Sequence, residues 1–351
     1  MYILSVNISH HPSSCLLKDG VVQYFIEEER LNKTKNSRIE TQESIRTKSN
    51  VYQTVRNGFQ AIPYVKHVDH LIFASYGSPG NDPRRMHVVK NALADHGVTF
   101  GKTHYDMYRH HIYHASNAFY MSGMDNAIAI VKDGSGAPSN RECVSREIQS
   151  IYDCSYNGIN ELEQYYSGFN RDSFVETIGH KTYTNHLACG WIFSRACEMF
   201  GFNNSGADAG KLMGMAAYGQ IESDVSWYKE YKGHYLTDNS VVYNEMHSVS
   251  DTFDSKANFA AKLQQESCNH TMYTIQKVID KYNPNNIVLS GGYFMNCVNN
   301  YKYVKKFPDI NFFVDPIAFD CGTALGAAKY LWYNTTGSQT KHPHSIYLGL
   351  N

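Results

Sequence analysis

The run His110-His111-Ile112-Tyr113-His114 separates His110 and His114 by four residues, so on a helix their imidazoles stand one turn apart on one face and can share a metal ion. Asp133, at the end of the apolar run Ala127 to Lys132, and Asp320, ahead of a helix, sit where a cleft ion would be held. Two histidines and two aspartates suit Fe(II), Mn(II) or Zn(II) rather than a thiolate site. The spacing alone is weak evidence, because 17 histidines in 351 residues give such a pair by chance; two partly exposed histidines on an aromatic-rich helix is the plainer alternative.

His11 lies in a polar turn after the first strand, where a histidine could act as a general base toward a hydroxyl or donate to a phosphate or carbonyl oxygen. Glycine turns at Gly134/Gly136, Gly206/Gly210/Gly214 and Gly291/Gly292 would let backbone N–H groups approach phosphates, although each is also readable as an ordinary tight turn. Lys211 is either a point charge for a phosphate or a solvated lysine. Gly206 to Leu212 is not a Walker A motif, and no G-x-G-x-x-G follows a strand, which excludes P-loop and Rossmann readings.

The elements that must position these residues alternate. Tyr2 to Asn7, Ser14 to Lys18 and Val21 to Glu27 read as strands, the last two joined by an Asp19-Gly20 hairpin turn. The same layout returns with Ala127 to Lys132, Cys143 to Tyr152 and Ile159 to Tyr166. Helices are expected over Gln42 to Gln60, over Pro83 to His96 with Asp82 as N-cap, over Asn185 to Phe200, over Ala257 to Tyr282 and over Thr323 to Tyr333. The expectation is an α/β chain with the duplicated, two-lobed actin/hexokinase-like (ASKHA) fold and a central cleft. Residues 1–120 would form the first lobe, completed by helix 321–335, residues 121–320 the second, and 336–351 a tail. A formal net charge of -1 without a basic run argues against a general DNA-coating protein. No apolar stretch is long enough to cross a bilayer and the start does not read as a signal peptide, so no membrane partner and a cytoplasmic location are expected. Eight cysteines without a C-x-x-C pair indicate neither a disulfide framework nor a cysteine zinc site.

The chain resembles the NodU/CmcH family of O-carbamoyltransferases, which is similar in fold to the tRNA threonylcarbamoyladenosine synthases. The resemblance is carried by His11-Pro12-Ser13-Ser14 with Asp19-Gly20 and Glu27-Glu28-Glu29-Arg30, by His110 to Ala115, and by Asp133-Gly134. It continues in Gly210 to Gly219, Ser290 to Cys297 and Asp320 to Ala328. It implies Fe(II) or another divalent metal held by His110, His114, Asp133 and Asp320, with ATP-derived carbamoyl-adenylate bound against it. The nucleotide would lie near Gly134, Gly210, Lys211, Gly291, Gly292 and Asn296, with Lys33 and Lys35 near its phosphates and His11 assisting the acceptor hydroxyl. The chain departs from the family at Pro12, where an acid is usual, and at Tyr293-Phe294, bulkier than the usual small pair. The family's adenylating domain would begin where this chain stops, so a separate carbamoyl-adenylate-forming protein is an expected partner.

The leading expectation is transfer of a carbamoyl group, made from carbamoyl phosphate and ATP, to a hydroxyl of a sugar, a natural product or a hydroxymethylated nucleotide or DNA. The alternatives are a tRNA threonylcarbamoyl transferase-like enzyme, disfavoured by the near-zero charge and the doubled His110-His111, a kinase-like phosphotransferase, and an ATP-binding module without catalysis.

Overall fold

A computed structural model describes residues 1–33, 50–78, 80–139, 145–168, 174–202, 208–346 and 348. The first sheet contains β1 (Tyr2–Asn7), β2 (Ser13–Lys18), β3 (Val21–Glu27), β4 (His67–Ala74) and β5 (Thr99–Tyr105), in the order β3-β2-β1-β4-β5. The hairpin strands are antiparallel, and β4 and β5 run parallel to β1. Asp19 and Gly20 both take positive φ, 49° and 81°, the geometry a two-residue hairpin turn demands.

The second sheet is built from β6 (Asn126–Lys132), β7 (Ser145–Ser155), β8 (Gly158–Gly168), β9 (Val175–Ile178), β10 (Lys181–Thr184), β13 (Asn286–Ser290) and β14 (Asn311–Val314). Its order, β14-β13-β6-β7-β8-β10-β9, contains the first sheet's pattern with the same strand senses, β6 in the place of β1, extended at the β8 edge. Between β10 and β13 comes a separate ribbon, β11 (Tyr228–Tyr231) with β12 (His234–Thr237). The duplicated layout is therefore present in the strand order itself.

Two helices fill the space between the sheets. Gly322–Thr336 packs on β1, β2 and β4, and His110–Ser122 packs on β6, β7 and β13, although sequence order placed it with the first lobe. They meet so closely that a Cβ on Gly326 would lie 1.8 Å from the Tyr113 carbonyl oxygen, which only glycine permits. Confinement between two layers explains why His110 to Tyr120 are all buried.

Several boundaries differ from expectation. Asn81, not Asp82, is the N-cap of the Asp82–Asp95 helix; the buried Asp82 carboxylate instead accepts from Ser75 Oγ, the Ser78 N–H and Tyr105 OH at 2.7–2.9 Å. Gly210 and Gly214 form no strand-end turn but lie in the short helix Ala209–Met215. The helix expected from Gln42 is described from Asn50 to Ala61, and Gly206 and Lys35 lie outside the described residues. The segment after Thr336 straps the lobes: Gln339 reaches the Tyr156 carbonyl, Lys341 reaches the Gly123 carbonyl, and the Leu348 carbonyl accepts from the Phe25 N–H.

Candidate metal centre and cleft

The first turn of the His110–Ser122 helix points two imidazoles at the end of β6. Their Nε2 atoms stand 3.2 Å apart, and both Nδ1 atoms are buried without hydrogen-bond partners. His110 Nε2 is 3.2 Å from Asp133 Oδ2, while Asp320 Oδ1 lies 3.7 Å from His110 Nε2 and 3.6 Å from His114 Nε2. One donor atom from each of the four residues falls within 4.8 Å of the others, and no other such group of three or more occurs among the described residues. Two facing ring nitrogens can share at most one proton between them, so at least one lone pair points inward. That donor set, two imidazoles and two carboxylates at a buried focus, fits a divalent metal ion.

Burial pushes the Asp133 carboxyl up, but its contact with the His110 imidazole outweighs that and brings it down to about 2. Asp320 is likewise held well below the usual carboxylate range, burial being outweighed by His10 and His110. For His114, burial is overridden by the Asp320 carboxylate, which raises the imidazole. Both carboxylates are thus kept ionised, the state a metal ligand needs.

The positions around the cluster explain its geometry. Asp320 Oδ2 is 3.0 Å from His10 Nε2 and accepts from Ser9 Oγ at 3.4 Å, so its two oxygens face different histidines. His11, at φ 53°, packs nearly perpendicular to Phe319, centroids 4.0 Å apart, and edge-on to the His10 ring at 5.0 Å. His111 faces away from the cluster: its Nδ1 lies 2.9 Å from Ser150 Oγ and 3.4 Å from Glu147 Oε1, and burial holds it well below its ordinary value. Asp315 accepts two bonds from Asn117 Nδ2, one from Ser290 Oγ and one from the Ile317 N–H, fixing the loop that leads to Asp320. Arg146 Nη1 donates to the Tyr76 and Gly77 carbonyls of the first lobe and the Gly136 carbonyl of the second, joining the lobes beside Asp133-Gly134. Sequence reasoning missed His10, Asp315 and Arg146; the His10-His11 doublet was the one local signal.

Of the cluster, Asp133 and Asp320 line a cleft of about 1470 Å³, and His110 and His114 lie buried behind them. His11, Asp133, Gly134, Gly210, Gly292, Asn296 and Asp320 line it, as do Trp191, Phe193 and Phe319. Three described residues expected at the nucleotide, Lys33, Lys211 and Gly291, do not. Lys211 Nζ is paired with Asp208 Oδ1 at 3.0 Å, and Gly291, at φ 97°, is pressed on the Lys132 backbone, where a Cβ would be 2.2 Å from the carbonyl oxygen. Asn296 caps the Cys297–Lys306 helix through the Asn299 N–H and exchanges hydrogen bonds with Gln264. The bulk of Tyr293 and Phe294 is largely absorbed by the second-lobe core, where Tyr293 OH donates to the Ser267 carbonyl at 2.8 Å. No helix among the described residues is long and apolar enough to cross a membrane.

Comparison with known proteins supports this architecture. Nodulation protein NolNO of Sinorhizobium fredii is 23% identical over 345 residues, covering 91% of this chain and 46% of its own length. A protein of Methanocaldococcus jannaschii described as uncharacterized is 25% identical over 349 residues, covering 93% of this chain and 56% of its own. The chain thus spans about half the length of these curated relatives. Full-length HypF in its phosphate- and nucleotide-bound form superposes with a TM-score of 0.62 at 14% identity, over 96% of this chain and 56% of that one, a likeness of fold. The family model described as Carbamoyltransferase N-terminus matches residues 80–329, a span that runs from the Asp82–Asp95 helix through His110, His114, Asp133 and Asp320. With that match over most of its length, the chain belongs to the carbamoyltransferase N-terminus family.

Proposed function

We propose that the chain transfers a carbamoyl group from carbamoyl-adenylate to an acceptor hydroxyl. The observation that carries this reading is the four-residue donor cluster whose two carboxylates open onto a cleft large enough for a nucleotide and an acceptor together, in a chain of this family. A divalent ion, Fe(II) in the resemblance, would be held by His110, His114, Asp133 and Asp320 and would supply Lewis-acid stabilisation of donor oxygens. His10 fixes the orientation of Asp320. The nucleotide lies along Gly134, Gly210, Gly292 and Asn296, in keeping with a nucleotide-bound neighbour of the same fold.

The acceptor oxygen attacks the carbamoyl carbon, the bond from that carbon to the AMP phosphate oxygen breaks, and His11 takes the hydroxyl proton. Trp191, Phe193 and Phe319 exclude water from a donor that water would hydrolyse. The donor comes from a carbamoyl-adenylate-forming protein or domain that uses ATP and carbamoyl phosphate. The acceptor is a sugar, a natural product or a hydroxymethylated nucleotide or DNA.

The test is incubation of the purified chain with preformed carbamoyl-adenylate and a panel of such hydroxyl acceptors, read by mass spectrometry. A carbamoyl adduct on one acceptor class, lost in His11→Asn, is the expected result. Hydrolysis of the donor with no adduct on any class would overturn the reading.

A further inference from the structure

Behind the cleft, the second lobe contains another cavity, of about 650 Å³, between the face of β7 and β8 and the Phe253–Tyr282 helix, with β12 at its side. Asp133, Gly190 and Tyr293 line both cavities. At Gly190 the partition is bare backbone, since a Cβ there would lie 2.9 Å from the Gly134 Cα and nitrogen.

At the inner end lies Lys132, whose side chain is buried. Its Nζ meets His270 Nδ1 at 3.1 Å, Thr271 Oγ1 at 3.0 Å and Thr274 Oγ1 at 3.2 Å. His270 Nε2 sits 3.1 Å from the Tyr235 carbonyl, so Nε2 carries the proton and Nδ1 accepts from the lysine. The ammonium therefore directs all three donors at neutral atoms. No carboxylate of the described residues forms an ion pair with it, and the adjoining Asp133 carboxylate is turned to His110 and the Gly134 N–H. A buried charge without a countercharge is costly, and it sits here against a cavity.

The wall of the same cavity also holds an acceptor without a donor. His186 Nδ1 lies 2.5 Å from the Thr237 carbonyl and must donate to it, which leaves Nε2 as a lone pair. That Nε2 is buried without a hydrogen-bond partner, and the whole residue is 2% exposed. Tyr235 and Tyr273, centroids 4.5 Å apart, supply flat apolar surface nearby.

We infer that this cavity binds a small organic anion carrying a hydroxyl group, with the anionic end toward Lys132 and the hydroxyl donating to His186. The site is separate from carbamoyl transfer and is tested without it. A phosphate ester and a carboxylate share this chemistry, so the probes are ribose 5-phosphate and gluconate, with uncharged ribose as the control. Binding to the full chain is measured by saturation-transfer NMR and thermal shift in wild type, Lys132→Met, Thr177→Trp and Met213→Trp. Thr177 is an exposed position on the cavity lining, and Met213 lines only the cleft.

The expected result is binding of at least one anion, the phosphate or the carboxylate arm naming its source. The affinity should weaken by about 10-fold or more in both Lys132→Met and Thr177→Trp and stay unchanged in Met213→Trp. If Lys132→Met does not fold, Thr177→Trp decides alone. Failure of both anions to bind, equal binding by ribose, indifference to Thr177→Trp, or loss in Met213→Trp would each overturn the inference.

Discussion

His10 Nε2 lies 3.0 Å from Asp320 Oδ2, while the other oxygen of the same carboxylate faces His110 and His114. Asp320 therefore couples a first-lobe turn to the donor cluster, and the two adjacent histidines His10 and His11 acquire different tasks.

Metal content follows from the convergence of four donors. The purified chain should carry one divalent ion, and His114→Ala should carry substantially less, as read by elemental analysis. Equal, substoichiometric content in both proteins would remove the site.

The histidine doublet should separate by readout. His10→Asn should weaken metal retention by about 10- to 100-fold, the usual effect of losing a group that orients a ligand. His11→Asn should leave metal content unchanged and lower turnover on carbamoyl-adenylate by about 100-fold or more. The reverse pattern would exchange their roles.

Glu28 supplies a pH test of stability outside the cleft. Its side chain is buried with one oxygen accepting from the Thr54 N–H at 3.1 Å, and burial pushes the carboxyl up to about 9. The folded state thus keeps a proton that the unfolded chain releases near pH 4.5, so this group favours folding at low pH and its contribution declines as pH rises from there toward 9. Glu28→Gln should stabilise the protein at pH 8 by about 1–3 kcal/mol and have little effect near pH 4. Denaturant midpoints at the two pH values decide it, and an equal shift at both would show that the proton is not the cause.

Arg146 should matter for holding the lobes in register. Arg146→Met leaves three carbonyls without their donor and should cost about 1–3 kcal/mol in chemical denaturation. It should also raise KM for the donor more than it lowers kcat, because it removes positioning rather than chemistry. A fall in kcat alone would contradict this assignment.

The sequence displayed what is local. Alternating strands, the Asp19-Gly20 turn and the four-residue interval between His110 and His114 depend on neighbours a few residues away, and the structure contains each of them. It concealed what depends on direction or distance. Adjacent histidines look equivalent until the positive φ of His11 turns one toward Phe319 and leaves the other on Asp320. Asp315 and Arg146 act on partners far along the chain, which no spacing rule registers. Gly210 and Gly214 suggested a turn, yet a seven-residue helix forms there, with the Lys211 N–H bonded to the Asp208 carbonyl. The same short helix turns the Lys211 ammonium onto the Asp208 carboxylate.

The contact at Gly326 brings the two central helices to backbone distance at Tyr113, with no side chain between them. If the lobes turn about that pair as covers turn about a spine, displacement grows with distance from the axis. His110 and His114 begin one of these helices, and Asp320 immediately precedes the other. In such a turn His110, His114 and Asp320 would sit near the axis and the rim of the cleft far from it. Such a turn would widen the mouth for a bulky acceptor while displacing these three donors least.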